Sequence, residues 1–402
     1  MHFTANNKNT MDTVIIKIYG AHKFKIANKS WFLPEISRRK FYDLTPTEKQ
    51  SKRMYLRRFI LQPPMSEGYL PKVDILEVLN KDADDVHYVL RAEFSVPKLI
   101  YGNSLREVSS NDLEKMLYAF KKALGNAGIT VESEAVATAR VSAVHFCKNV
   151  MLPHDIRMQE ILTELARMDV SKVVDITTKE FKHGGQTLQF YSGTREWAFY
   201  DKVADAMRPK VKRKYKPRVA QERGIIERHK LQGQEVFRFE YRIKKGQSVE
   251  KGINETLGRT PKTPVLFRDL FTHDLCRLVV LNAWRELTQR PENQLALLAP
   301  MEGLGLFEHI LAEAVKKGGA HSINHALTSY GLVAAIRDHG AKEVRRTVLR
   351  RWTGNHPERL TRKVEAAAAL TSGLPYSNSV SFVDVALERF ELLTPRLLGI
   401  AV

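Results

Sequence analysis

The chain has 402 residues and only two cysteines, Cys147 and Cys276, far apart and each inside an apolar pattern. That excludes a disulfide framework and a cysteine-based zinc site, and it fits a reducing, cytoplasmic interior. No apolar run of roughly 18 residues occurs, so no membrane-spanning helix is expected. Residues 1–10 are polar and lack the apolar centre of a signal peptide; a flexible N-terminus is expected there. The Gly-x-x-x-x-Gly-Lys-Ser/Thr phosphate loop is absent, as are HxH, HExxH and CxxC spacings, so neither a P-loop nucleotide site nor a local metal signature is present. There is no internal repeat. Acidic residues are also in short supply: 45 Asp and Glu stand against 64 Lys and Arg, for a net charge of +19 and a pI near 9.7. Such an excess favours a polyanionic partner, with nucleic acid first and an anionic membrane surface second.

What is present divides into two grammars. Up to about residue 260, β-branched and aromatic runs alternate with helical stripes. Met11 to Gly20, Val86 to Val96, Ala139 to Val150 and Glu235 to Lys244 read as strands. A short strand is also expected from Lys172 to Thr178. A helix is expected from Ser109/Ser110, capped through Asn111 and Glu114, with Leu113, Met116, Leu117, Phe120 and Leu124 on its buried side. A second helix opens at Pro153-His154-Asp155. From Phe267 onward the pattern is helical, broken at Pro291, Gly318-Gly319, Gly340, Gly354 and Pro375. The reading is an α+β domain over 11–260 and an all-α domain over 265–402.

The stretch with chemical potential is a hairpin. Thr187 to Tyr191 and Arg195 to Val203 flank Ser192-Gly193-Thr194, where Gly193 is expected to supply a positive φ. The second strand carries Tyr200, followed by Asp201 and Lys202. Arg208, Lys210, Lys212, Arg213, Lys214, Lys216 and Arg218 then place seven positive charges in eleven residues, with two prolines that exclude a regular helix. A second basic stretch interleaved with aromatics, Arg38 to Arg58, suits a nucleic-acid backbone or a solvated helix face equally well. A tyrosine leading into a polycation fits a nucleophile aimed at a phosphodiester, and it fits plain strand packing as well. Attack on a phosphodiester calls for charge neutralisation at the phosphate, from a divalent metal or cations, and for groups to hold that metal. The strand residues available are His145, Glu240 and Glu93, with Lys202 as the cation beside Tyr200. Taken singly, His145 reads first as a satisfied strand histidine and Glu240 as a partner of Arg238 or Arg242, whose side of the strand reads as a charged surface.

Several segments taken in order resemble one family. Met11-Asp12-Thr13-Val14-Ile15-Ile16-Lys17-Ile18, Glu93-Phe94-Ser95-Val96-Pro97-Lys98-Leu99-Ile100-Tyr101-Gly102-Asn103, Val141 to Asn149, Phe199-Tyr200-Asp201-Lys202 and Phe237 to Ile243 follow the order and rough spacing of the replication initiators of filamentous phages and related plasmids, the gene II protein family. The Ser95 to Asn103 stretch is the most specific of these. That family belongs to the rolling-circle initiators with an HUH-type endonuclease fold. The resemblance covers about residues 11–245, with Leu266 to Trp284 similar to the start of the family's helical region.

The resemblance implies an antiparallel-sheet, HUH-like nuclease domain followed by a helical domain. It places the nucleophile at Tyr200 and metal ligands for Mg²⁺ or Mn²⁺ at Glu240 and His145, with Glu93 at a further acidic position. The chain departs from the pattern where His145 replaces an aspartate and Ala143 an arginine, and a partner histidine for a His-hydrophobic-His pair is missing. The implied activity is nicking of single-stranded or supercoiled origin DNA in a bacterial cytoplasm, leaving a 5′-phosphotyrosine and a 3′-hydroxyl, then rejoining. A host helicase and DNA polymerase are the implied partners. Two rivals stay open: a transposase or relaxase with the same chemistry, and an origin-binding regulator without chemistry. The regulator would use the helices around His321 to Trp352, with Arg345, Arg346, Arg350 and Arg351.

Overall fold

A computed structural model describes residues 10–36, 53–62, 69–80, 85–171, 178–182, 185–208, 220–228, 231, 233–301, 303–318, 322–351 and 357–389. The strands are β1 (Met11–Tyr19), β2 (Phe24–Ile26), β3 (Phe32–Ile36), β4 (Arg53–Leu61), β5 (Lys72–Asn80), β6 (Asp85–Ser95), β7 (Ile129–Val131), β8 (Arg140–Met151), β9 (Thr178–Lys182), β10 (Thr187–Tyr191), β11 (Arg195–Asp201) and β12 (Val236–Ile243). The helices of the first part are α1 (Val96–Tyr101), α2 (Leu113–Asn126), α3 (Ser133–Ala137), α4 (Met158–Leu165), α5 (Lys202–Met207), α6 (Ala220–Arg228) and α7 (Gly246–Thr256). Those of the second part are α8 (Leu275–Thr288), α9 (Pro291–Leu297), α10 (Gly303–Lys316), α11 (Ser322–His339), α12 (Ala341–Arg351), α13 (Pro357–Leu370) and α14 (Asn378–Arg389).

Ten strands form one antiparallel sheet in the order β3-β4-β5-β6-β1-β8-β12-β11-β10-β9, and β2 pairs with β7 separately. The protein is therefore of mixed α+β class. In β12, Phe237, Phe239, Tyr241 and Ile243 alternate with Arg238, Glu240 and Arg242, so one face is apolar and the other charged. The apolar face joins Val14, Ile16 and Ile18 of β1, Phe94 of β6, Val144 and Phe146 of β8 and Trp197 and Phe199 of β11 in a single core. Phe199 stacks on Phe239 with ring centroids 5.2 Å apart and meets Trp284 edge-on. Trp197 is fully buried and satisfies its indole N–H on the Ala283 carbonyl at 3.2 Å. Burial of each such ring stabilises by at least roughly 2 kcal/mol.

The change of grammar near 265 marks a change in secondary structure, and the cores divide elsewhere. Phe267, Leu270, Leu275, Val280, Trp284 and Leu287 belong to the sheet's core, as do Val380, Val383 and Leu387 of α14. A second cluster, from Leu295 to Leu370, is built by α9 to α13. Asn293 stitches the two together: its side chain accepts from the Asp169 N–H at 2.7 Å and donates to the Asp169 and Leu287 carbonyls. Pro291 opens α9 at its first position, where the missing N–H is harmless.

Two local expectations change. Ser109 forms its capping box with Asp112, not through Asn111 and Glu114: the Ser109 N–H donates to Asp112 at 2.8 Å, and Asp112 also accepts from the Tyr101 hydroxyl. A 3₁₀ turn precedes α2, which moves the acidic partner two residues toward the N-terminus. Gly193 is not among the glycines with positive φ. The hairpin is closed instead by the Ser192 N–H on the Arg195 carbonyl at 2.9 Å, with the Ser192 hydroxyl accepting from Arg195 N–H at 3.2 Å. The Lys172 to Thr178 strand expectation falls almost wholly outside the described residues; β9 begins at its last residue, Thr178.

Candidate active site

Register fixes what meets on the charged face. Tyr200 of β11 lies opposite Arg238 of β12, and Glu196 opposite Arg242. On the other side of β12, Asn149, Cys147 and His145 of β8 lie opposite Arg238, Glu240 and Arg242. Cross-strand partners share a face, so these residues form one patch at the centre of the sheet.

Hydrogen bonds and ion pairs tie the patch together. The Tyr200 hydroxyl donates to Glu240 Oε1 at 2.6 Å. The same oxygen accepts from Arg238 Nε at 2.8 Å, and Glu240 Oε2 accepts from Arg242 Nε at 2.7 Å. Arg238 reaches Asp12 at 2.7 Å and the Ser104 carbonyl at 3.1 Å. Arg242 and Lys244 both pair with Glu196. Three carboxylates thus balance three cations. Arg238 and Glu240 are 1% and 2% exposed, so the side of β12 that reads as a charged surface is an interior ion cluster.

Asp12 reaches this cluster because of a bulge. Met11 pairs with Phe146 while Val14 pairs with Val144, so β1 has one residue more than β8 over this interval. Met11 and Val14 are both buried, which leaves Asp12 and Thr13 together on the polar side. Asp12 then accepts from Ser95 of β6 and from Arg238. The ladder continues outward through Glu93–Arg91 at 3.0 Å, Arg91–Asp74 at 2.8 Å and Asp74–Arg58 at 2.8 Å.

The electrostatics follow from burial. Burial pushes the Tyr200 phenol well above its ordinary pKa, and Arg238 only partly offsets this. Glu240 is held well below the carboxylate range although burial acts the other way, because Arg242 and Arg238 flank it. Burial lowers the His145 imidazole, so it is neutral near pH 7. Burial raises both thiols, Cys147 and Cys276, which removes them as nucleophiles.

The named residues separate into three groups. Tyr200, Glu240 and His145 share the patch. Glu93 lies on the same side, but β1 runs between its strand and that of His145 (Glu93 opposite Ile15, Ile15 opposite Ala143), a backbone separation of roughly 10 Å. Lys202 is not brought to the Tyr200 hydroxyl. β11 stops at Asp201, whose carboxylate accepts from the Val203 N–H at 2.9 Å and caps α5. Lys202 is buried at the start of α5, where its charge acts on Glu222. Burial, then repulsion from Arg238, lowers the Lys202 pKa. The cations beside Tyr200 are Arg238 and Arg242. Of the basic arm, Arg208 is described and donates to Gln186 at 2.9 Å; Lys210, Lys212, Arg213, Lys214, Lys216 and Arg218 lie outside the described residues, as do Arg38 to Lys52.

The donor set does not fit a divalent metal at Glu240 in this arrangement. Both Glu240 oxygens are engaged, by the phenol and two guanidiniums, and a further cation there would be repelled by Arg238 and Arg242. Among the described residues, no three His, Cys, Asp or Glu side chains converge as a metal-holding group. The sequence reading missed Asp12, Arg238, Arg242 and Glu196 as site members. The alternation of Arg238, Glu240 and Arg242 was the available signal, whereas the bulge that delivers Asp12 leaves none.

No family model, curated protein or solved structure matches the chain. The fold and the site by themselves define a class: a mixed α+β protein with a large antiparallel sheet and a buried tyrosine–carboxylate–guanidinium cluster at its centre. Among the described residues no helix is long and apolar enough to cross a membrane.

Proposed function

We propose that this protein is a DNA strand transferase of the rolling-circle initiator type, with an HUH-like sheet and Tyr200 as nucleophile. One observation carries the reading: the Tyr200 hydroxyl sits on Glu240 between two guanidiniums, in a chain of net charge +19. In the reaction the Tyr200 oxygen bonds to phosphorus, the bond from phosphorus to the 3′-oxygen breaks, and that oxygen leaves as a 3′-hydroxyl once protonated. The phenol proton passes to Glu240, its hydrogen-bond acceptor, and is given up from there, directly or through solvent, to the departing 3′-oxygen. The reverse attack by a 3′-hydroxyl rejoins the strand and needs no nucleotide cofactor.

As folded, the cluster is at rest, with the phenol held protonated and Glu240 a weak base. A phosphodiester arriving between Arg238 and Arg242 competes with Glu240 for their charge. The carboxylate pKa then climbs toward that of the phenol while the guanidiniums stabilise the phosphorane-like transition state. Tyr200 is 8% exposed, so access requires a movement of what packs over this end of the sheet, which this reading assigns to α5 and α6. They are held by a small satellite cluster, Leu105, Val203, Ala206, Ile226, Leu231 and Val236, and by the buried Glu222 of α6, which accepts two hydrogen bonds from Ser104 and pairs with Lys98. The 208–218 arm connects these two helices and would hold phosphates as they lift. In this reading the chain acts on origin DNA in a bacterial cytoplasm alongside a host helicase and polymerase. A transposase or relaxase differs only in the DNA chosen.

Burial of the hydroxyl also favours a second reading, a DNA-binding regulator in which the Tyr200–Glu240 bond is structural. The deciding experiment incubates wild type and Tyr200→Phe with labelled single-stranded DNA of the element's own origin, with Mn²⁺ and with EDTA. A covalent adduct on wild type and none on the variant is the expected result. An adduct in EDTA shows that the guanidiniums suffice; an adduct with Mn²⁺ alone shows a metal requirement that the resting donor set does not meet. Tight binding with no adduct in either condition overturns the nuclease in favour of the regulator.

A further inference from the structure

A cleft of about 720 Å³ lies away from Tyr200, where the far ends of β1, β6 and β8 and the turn at Gly20 to Lys23 meet α3, the loop after it and the segment at Pro264 and Leu266. Its volume falls within the roughly 300–1,000 Å³ typical of ligand sites. Lys17, Lys23 and Arg140 line it together with the rings of Tyr19, His22 and His87, and no carboxylate lines it among the described residues. Lys23 and Arg140 are exposed. The Arg140 guanidinium lies 5.8 Å from the centre of the Tyr19 ring, and Tyr19 and His87 have ring centroids 6.5 Å apart. Gly20 adopts φ 99, and a Cβ there would stand 2.8 Å from the His22 ring, so glycine is what lets this imidazole fold back over the turn.

Lys17, Tyr19 and His87 reach the cleft from the polar side of the sheet. Lys17 pairs with Arg91 of β6, and Tyr19 lies opposite Val89. Lys17 is five residues beyond Asp12, about 17 Å further along β1. A cation-lined hollow with ring faces and no acidic wall matches a sugar-phosphate backbone that carries flat bases, and ring faces stack on any base without needing its sequence. We infer that this cleft is a second nucleic-acid site, which holds a single-stranded DNA segment by its phosphates, with a base against Tyr19. It serves as an anchor for a strand running along β1 toward the Tyr200 cluster. The inference rests on the DNA-directed reading of the protein but not on tyrosine chemistry.

The test measures fluorescence anisotropy of the full chain with a labelled single-stranded oligodeoxynucleotide of about twelve nucleotides, within the site sizes of such grooves. Lys23→Glu/Arg140→Glu is compared with Arg359→Glu/Lys363→Glu, which makes the same change in net charge at exposed residues of α13. The cleft variant is expected to bind about tenfold more weakly at moderate salt, with a shallower dependence on salt concentration, and the control to bind within about twofold of wild type. Tyr19→Ala, with its charge intact, is expected to lose about tenfold without a change in salt dependence. Equal losses in the two charge variants would mean diffuse attraction to a basic protein and would overturn the site. So would competition by a free mononucleotide as effective as that by unlabelled oligonucleotide, since the cleft would then hold a small molecule. Failure of the nuclease reading looks different: oligonucleotide binding stays sensitive to the cleft variants while no Tyr200 adduct forms.

Discussion

The Tyr200 cluster and the Lys17–Arg140 cleft draw side chains from the same face of one sheet, yet they handle charge in opposite ways. In the cluster every guanidinium has a carboxylate, and Arg238 and Glu240 are almost wholly out of water. Removing such ions from solvent is tolerated only because each lone pair and donor is met. In the cleft Lys23 and Arg140 stay in solvent, and the lining offers them no acid among the described residues. Charge that is paired and buried shapes the protein and must be disturbed before it acts on a substrate. Charge left wet and unbalanced is available to a polyanion from the outset.

The difference can be broken most sharply at Arg238. Arg238→Met strands Glu240 and Asp12 with less than their full complement of cations. It is expected to cost about 3–5 kcal/mol, read as a lower midpoint in urea unfolding. A change below about 1 kcal/mol would mean that the cluster is wetter than its burial indicates.

The next effect concerns the neighbouring buried carboxylate Glu222, which pairs with Lys98 at 3.3 Å and lies in the field of the buried Lys202. Burial pushes Glu222 up, but Lys202, Lys98 and two hydrogen bonds from Ser104 outweigh it and hold the carboxyl at about 2, below its ordinary 4.5. A depressed carboxyl contributes stability above its unfolded pKa and loses it as pH falls, here between about 4.5 and about 2. The contribution is at most about 3 kcal/mol. The two partners disagree in sign, since Lys202 is itself pushed down by burial and by Arg238, so the net gain from the pair is smaller than Glu222 alone suggests. Glu222→Gln should therefore flatten the stability profile across that window when unfolding is followed at a series of acid pH values. A profile as steep as wild type would place the acid sensitivity elsewhere.

A smaller change is expected for Tyr200→Phe, which removes one hydroxyl from a carboxylate that keeps two guanidiniums. Calorimetry should show a loss of about 1 kcal/mol, while adduct formation disappears entirely. A loss of 4 kcal/mol or more would make Tyr200 chiefly a structural pin. Smallest of all, Lys23→Glu/Arg140→Glu should leave stability within about 0.5 kcal/mol of wild type even as DNA affinity falls. If melting shifted as far as for Arg238→Met, the cleft cations would belong to the folded frame, and the contrast with the cluster would vanish.

Much of the fold is legible in the residues. The 2-residue alternation of Phe237 to Ile243 and the helical stripe from Leu113 to Leu124 both match the structure in type and buried side. So do the breaks at Pro291 and Gly340, where Gly340 takes φ 83 against the Arg167 carbonyl. The site was legible only in part. Glu240 pairs with Arg238 and Arg242, as two-residue spacing on a strand allows. The burial of all three could not be read, because alternating charge on a strand looks the same whether water or another layer lies above it.

By itself the sequence determined the class of the elements with clear apolar periodicity and the sign of the protein's own charge. Apolar periodicity sets which side of a strand or helix leaves water, and a surplus of nineteen positive charges sets the long-range field whatever the fold. Only the tertiary structure decided which charges cancel. Strand order brings β1, β8, β11 and β12 side by side from distant parts of the sequence, and a one-residue bulge turns Asp12 onto Arg238, 226 positions away. Such pairing depends on register between distant strands, which local patterns do not encode. The strand end at Asp201 shows the same on a small scale: a cap on α5 turns the chain, and Lys202, next in sequence to the tyrosine's strand, is handed to Glu222 while Arg238 and Arg242 take the place beside the phenol.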